Sequence, residues 1–151
     1  MKSFETVNDA LDFAIAEEQG AVAFYTELAG KTSQSGIRDL LLSFAEEEDG
    51  HRKKLLEIKS GKLLIAAESQ VRDLKIADYM TDVEPSPEVT YQEALIIAMK
   101  KEKAAFIMYN DLAAAAPNTA LREVFEGLAH EEANHKLRFE VEYDSEIMRE
   151  N

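Results

Sequence analysis

Apolar residues recur along this chain at spacings of three and four, the period of an α-helix that buries one face. Leu11, Ile15, Val22, Tyr25 and Leu28 form the first such stripe and predict a helix over about 6–31. Thr6 with Asp9 is a start signal of the capping-box type, and Gly30 lies near the end. After a polar turn over 32–36, Leu40, Leu41, Phe44, Leu55 and Ile58 predict a second helix over about 37–60, which Gly61 stops. Thr90, with Glu93 three residues on, opens a third helix that carries Ala94, Ile97, Met108, Tyr109 and Leu112 to about Ala116. Pro117 to Thr119 make a turn, and a fourth helix follows over about 120–148.

Residues 61–89 break the pattern. Leu63 to Ala67 is apolar, Gln70 to Met80 suits a short helix, and Asp82 to Glu88, with Pro85 and Pro87, is extended. A connection this long is uncommon inside a compact domain. It suits a bundle whose third helix starts at the same end as the first. The chain therefore divides into a hairpin over about 6–60, a crossover over 61–89 and a hairpin over about 90–148, within one predicted domain over 1–151. The hairpins repeat each other: 13–56 aligns with 97–140 without a gap and with identity at eleven positions, Glu47/Glu131 among them. The expected fold is all-α, a pseudo-twofold four-helix bundle made from one hairpin used twice.

The repeat also carries chemistry. Glu18, Tyr25, Glu48 and His51 reappear as Glu102, Tyr109, Glu132 and His135, each shifted by 84. Three residues apart on a helix means neighbours on one face, and seven apart means two turns along it. A single Glu-x-x-His on a helix is ordinarily surface charge. Two at a shared offset, each preceded by Glu-x6-Tyr, point instead to a binuclear metal site built from both hairpins. Four ionised carboxylates in a dry core with only two imidazoles would repel one another at a cost of several kcal/mol. Two divalent cations would cancel that charge locally. The predicted metal ligands are Glu18, Glu48, His51, Glu102, Glu132 and His135, with Glu48 and Glu132 bridging and Glu18 and Glu102 terminal, the ligand pattern of carboxylate-bridged bundle proteins.

Other residues near the motifs have plainer readings. Tyr25 and Tyr109, the candidate catalytic residues, donate hydrogen bonds to ligand carboxylates, act as redox buffers, or serve as core aromatics with satisfied hydroxyls. Glu17, Glu46, Glu47, Glu131 and Asp49 flank the ligands but sit elsewhere on the helical wheel, as solvated faces or charges that draw metal in. His130 aligns with Glu46, has no repeat partner, and is expected at the surface or behind the ligands. The segment His130-Glu131-x-x-Asn134 lacks the second histidine of a zinc-protease motif. Gly20 and Gly50, inside helices, mark either a close helix approach or space for substrate.

Composition narrows the chemistry further. The chain has no cysteine, which removes disulfides, thiolate nucleophiles and sulfur-ligated metals from its own residues. A formal charge of -13 argues against nucleic acid or an anionic membrane as partner. No apolar run approaches the roughly 18 residues that span a bilayer. The first residues lack a signal-peptide layout, so cytoplasmic residence is expected.

The segments EEQGAVAFY, EEEDGH, KKEKAAFIMY and HEEANH resemble the four helices of the ferritin-like superfamily, most of all its rubrerythrin branch. The resemblance covers nearly the whole chain. It implies a ferritin-like bundle with a di-iron site at the six ligands named above, manganese and zinc being compatible with the same donors. It also implies reduction of hydrogen peroxide or oxygen with oxidation of ferrous iron, and a homodimer. Two departures stand out. Rubrerythrins proper end in a rubredoxin module with four iron-binding cysteines, which is missing here, so an external rubredoxin-like electron donor is expected. They also carry an extra glutamate one turn beyond the third-helix ligand, where this chain has Ala105. Two alternatives stay open: an iron-handling ferroxidase or storage protein, and a bundle whose two metals are structural.

Overall fold

The computed structural model describes residues 7–62 and 90–150. Four helices, α1 (Val7–Lys31), α2 (Ser35–Glu57), α3 (Tyr91–Ala115) and α4 (Thr119–Glu150), form an all-α four-helix bundle with no strand among the described residues. A single π-helical turn, Ile58–Lys62, finishes α2. Gly61 lies within it at φ 102°, the left-handed conformation that ends the helix where the sequence indicates.

The caps explain most of the boundaries. The Thr90 hydroxyl accepts a hydrogen bond from the Glu93 amide (3.1 Å) and donates one to the Glu93 carboxylate (3.0 Å). Asn118, expected in a turn, instead caps α4, its side-chain oxygen accepting from the Leu121 amide at 2.8 Å. The helix therefore starts at Thr119, one residue earlier than its apolar pattern suggests. α2 begins at Ser35, two residues early, behind a Gln34 whose side chain makes no cap. The expected Thr6 start signal and the three segments proposed within 63–89 lie outside the described residues.

Two apolar clusters fill the bundle, one toward each end. Leu11, Leu55, Leu112 and Phe125 belong to the first; Leu28, Leu41, Leu95 and Phe139 belong to the second. The start of α1 is thus level with the end of α3, and the start of α3 is level with the start of α2. This corrects the expected topology: the third helix starts where the second starts, not where the first does. α1 and α3 run antiparallel, as do α2 and α4, while α2 and α3 are parallel. The twofold that relates the hairpins lies across the helix axes, so equivalent residues meet only near mid-helix.

Packing is closest within each hairpin, α1 on α2 and α3 on α4, and thinner between α1 and α3. Among the described residues no helix is long and apolar enough to cross a membrane.

Candidate metal centre

Mid-helix, between the two apolar clusters, the structure brings together all six predicted ligands. Glu18 comes from α1, Glu48 and His51 from α2, Glu102 from α3, and Glu132 and His135 from α4. All six are buried, the carboxylates being at most 2% exposed. Their i, i+3 spacing on α2 and α4 and the antiparallel pairing of the hairpins put every one on an inward face.

Among the described residues, six buried side-chain atoms have no hydrogen-bond partner: Glu18 Oε2, Glu48 Oε1, His51 Nδ1, Glu102 Oε2, Glu132 Oε1 and His135 Nδ1. Each predicted ligand contributes one. Buried polar atoms are almost always satisfied, so six orphans facing one centre have the donor chemistry that cations would satisfy. They fall into two overlapping groups whose ligand atoms lie within 4.8 Å of one another: Glu18, Glu48, His51 and Glu132, then Glu48, Glu102, Glu132 and His135. Glu48 and Glu132 belong to both groups. This buried carboxylate–histidine cluster is a candidate binuclear metal site.

The partners around the cluster cross from one hairpin to the other. The Tyr109 hydroxyl donates to Glu18 Oε1 at 2.7 Å, and the Tyr25 hydroxyl donates to Glu102 Oε1. The same exchange occurs between α2 and α4: His135 Nε2 donates to Glu47 at 2.7 Å, and His51 Nε2 donates to Glu131. Each imidazole is thereby held with Nδ1 toward the centre. Glu47 and Glu131 are thus more than solvated charges, which corrects the sequence reading. Both stay about half exposed, at 51% and 54%, and so look like surface residues in a helical pattern. Their identity across the repeat was the signal that could have singled them out.

Other neighbours break the twofold. His135 packs against Phe44 with ring centroids 4.2 Å apart, whereas the repeat counterpart of Phe44 is Leu128. Phe44 and Tyr25 both pack on Phe139, so the aromatic cluster supports a ligand and a ligand's partner together. His130 is exposed and is absent from both ligand groups.

Electrostatics reflect the crowding. His51 Nδ1 lies 3.1 Å from Glu132, 3.3 Å from Glu48 and 3.4 Å from Glu18, while His135 Nδ1 lies 3.3 Å from Glu48 and 3.5 Å from Glu102. These are attractive distances without hydrogen-bond orientation. Burial alone would lower the imidazoles, but the carboxylates facing them prevail and raise His51 to about 11 and His135 to about 10. Burial, with Glu48 beside it, raises Glu18 to about 8. Burial also raises Glu102 and Glu132. It raises Glu48 too, yet the imidazoles on both sides of it win and hold it near 2. Without metal, protons carry the neutralising charge.

A cleft of about 340 Å³ opens between α1 and α3, with Glu18, Glu48, Glu102 and Glu132 at its floor. Ala105 and its repeat counterpart Ala21 both line it. Where the family resemblance would put a further carboxylate, the wall is apolar.

Comparison with known proteins identifies the family and the fold. The rubrerythrin family profile matches residues 9–143. No curated protein matches the chain. Among solved structures, a Thermotoga maritima protein assigned as a ferritin-like diiron-carboxylate protein superposes with a TM-score of 0.79 at 22% identity, over 92% of this chain and 95% of that one. A hypothetical protein from Pyrococcus furiosus superposes with a TM-score of 0.70, also at 22% identity, over 91% of this chain and 87% of that one. At such identity the likenesses show the fold.

The protonation pattern has a measurable consequence for the metal-free chain. Glu18, Glu102, Glu132 and both imidazoles hold protons more tightly folded than unfolded, so their stabilisation is lost as pH rises. Glu18's share is complete below 4.5 and gone above about 8; those of His51 and His135 are complete below 6.5 and fade through about 11 and about 10. Glu48 acts in the opposite sense, losing its contribution only as pH falls from 4.5 through about 2. With chelator present, the urea midpoint should therefore fall steadily from about pH 5 to about pH 10. A midpoint that rises across that window contradicts this distribution of protons.

Proposed function

The chain belongs to the rubrerythrin family, and from that premise we propose that it is a di-iron oxidoreductase reducing hydrogen peroxide or oxygen with electrons from an external, rubredoxin-like donor protein. The observation that carries this reading is the set of six unpartnered ligand atoms in two overlapping groups. Oxygen and nitrogen donors without thiolate suit iron, and equally manganese or zinc. In this reading Glu18 with His51 and Glu102 with His135 are the separate ligands of the two metals, and Glu48 and Glu132 are shared. The Thermotoga maritima structure, assigned as a diiron-carboxylate protein, supports the choice of iron.

Bound there, a pair of irons supplies two one-electron reductants side by side for cleaving an O–O bond. The chain's own residues set the conditions. The Tyr25 and Tyr109 hydroxyls donate to Oε1 of Glu102 and Glu18, which leaves Oε2 of each to face the centre. Glu131 and Glu47 accept from Nε2 of His51 and His135, fixing the ring orientation and making Nδ1 the ligand atom. The apolar clusters above and below keep bulk water from either end, and the cleft between α1 and α3 leaves one side for a substrate to reach the carboxylate floor.

Protein loaded with iron without oxygen should carry about two irons per chain and consume hydrogen peroxide when given a one-electron donor. The double variant Glu48→Ala/His51→Ala removes a shared and a separate ligand and should lose both metal and turnover; iron retained at full stoichiometry would sink the ligand assignment. Glu47→Ala and Glu131→Ala, which remove the acceptors of the imidazole Nε2 atoms without removing a ligand, should each weaken metal binding by about 10- to 100-fold. Unchanged affinity in a competition titration would show that the crossed His–Glu contacts do not position the ligands.

A further inference from the structure

We propose that the cleft between α1 and α3 is a binding site for organic hydroperoxides, with the peroxide end on the carboxylate floor and the carbon tail along the apolar walls. This deepens the reductase reading and rests on it for the fate of the peroxide, though not for the binding.

Three observations carry the assignment. The first is size. A water-sized oxidant needs roughly 30 Å³, and an apolar cavity of about 150 Å³ already holds a benzene ring. The cleft, at about 340 Å³, has room for an aromatic or branched alkyl group besides the reacting oxygens. The second is lining. Phe13, Phe24 and Met108 supply bulky apolar wall, and Ala21 and Ala105 keep open the space one turn beyond Glu18 and Glu102. The Lys101 ammonium sits 5.7 Å from the Phe24 ring centroid, so its alkyl stem extends the wall at the rim. A site for hydrogen peroxide alone would have no use for such a surface, whereas an apolar body with one polar end matches it. The third is the floor. Glu18 and Glu102, at most 2% exposed, line the cleft, and the Oε2 atoms that would hold the metals lie there, so a peroxide end at the floor would lie beside the metal pair.

Reduction would take two electrons and two protons: the O–O bond of ROOH breaks, one oxygen leaves as water and the other remains as the alcohol ROH. The electrons come one at a time from the external donor protein and the protons from solvent.

Zinc-loaded protein, which is redox-inert, separates binding from turnover. Titrated with cumene hydroperoxide or its alcohol by calorimetry, it should show saturable binding with a Kd on the order of a millimolar or tighter. A Cβ at Gly20 meets nothing within 4 Å, so Gly20→Leu fills the cleft from α1. Leucine also favours this exposed helical position over glycine. Ala105→Leu fills the cleft from α3. Each should weaken binding by about tenfold or more, the share carried by a few buried methylene groups, with helicity and melting showing that the variants fold. Absence of saturable binding, or equal binding by wild type and both folded variants, overturns the proposal. If iron-loaded protein reduces hydrogen peroxide while the tail fails to bind, this inference fails and the reductase reading stands. If the tail binds without reduction of any peroxide, the binding site stands and the reductase reading fails.

Discussion

Four carboxylates from four helices converge in a core that excludes water, and their mutual repulsion is the constraint around which the rest of the bundle is arranged. Left ionised and alone they would cost more than a domain of this size can spare. In the metal-free chain the imidazoles and shared protons absorb the charge, which is why His51 and His135 are pushed to about 11 and about 10 while Glu18 rises to about 8. Protons do this incompletely: one atom of every ligand still lacks a partner. Two cations would occupy those directions and leave the remaining hydrogen bonds as they are.

The same constraint accounts for the topology. A carboxylate on α1 is oriented by a tyrosine on α3, and an imidazole on α2 by a carboxylate on α4, with each relation returned in the opposite sense. Such exchange requires a twofold across the helix axes, hence antiparallel α1 and α3, with α2 and α3 parallel. Neither hairpin can complete its half of the cluster alone. Small residues on the α1–α3 side leave a flank through which the floor is reached.

Much of this was legible in the sequence, and the exceptions are instructive. Helical periodicity located all four helices, and the offset of 84 picked out the six residues that meet. Periodicity reports which face of a helix is buried but carries no sign for its direction, so the relative sense of the hairpins was read wrongly. Glu47 and Glu131 were read as solvated or metal-drawing charges because a half-exposed carboxylate beside a ligand has the pattern of any surface charge. Only the repeat identity, or the structure, separates them from Glu46, whose counterpart is His130. Asn118 was read as a turn although asparagine is a strong cap. The cleft was legible only in part. Gly20, read as either a close helix approach or space for substrate, lines it with open space around its Cβ position. Ala21 and Ala105, by contrast, show an absence of bulk, and what an absence opens onto depends on packing between helices far apart in sequence.

The most direct measurement is an anomalous-scattering crystal structure of the protein loaded with iron or manganese. Two anomalous peaks should appear between the four helices, both contacted by Glu48 and Glu132, one by Glu18 with His51 Nδ1 and the other by Glu102 with His135 Nδ1. A single peak, peaks away from the cluster, or imidazoles turned so that Nε2 meets the metal would contradict the central claim that the buried charge exists to hold a metal pair.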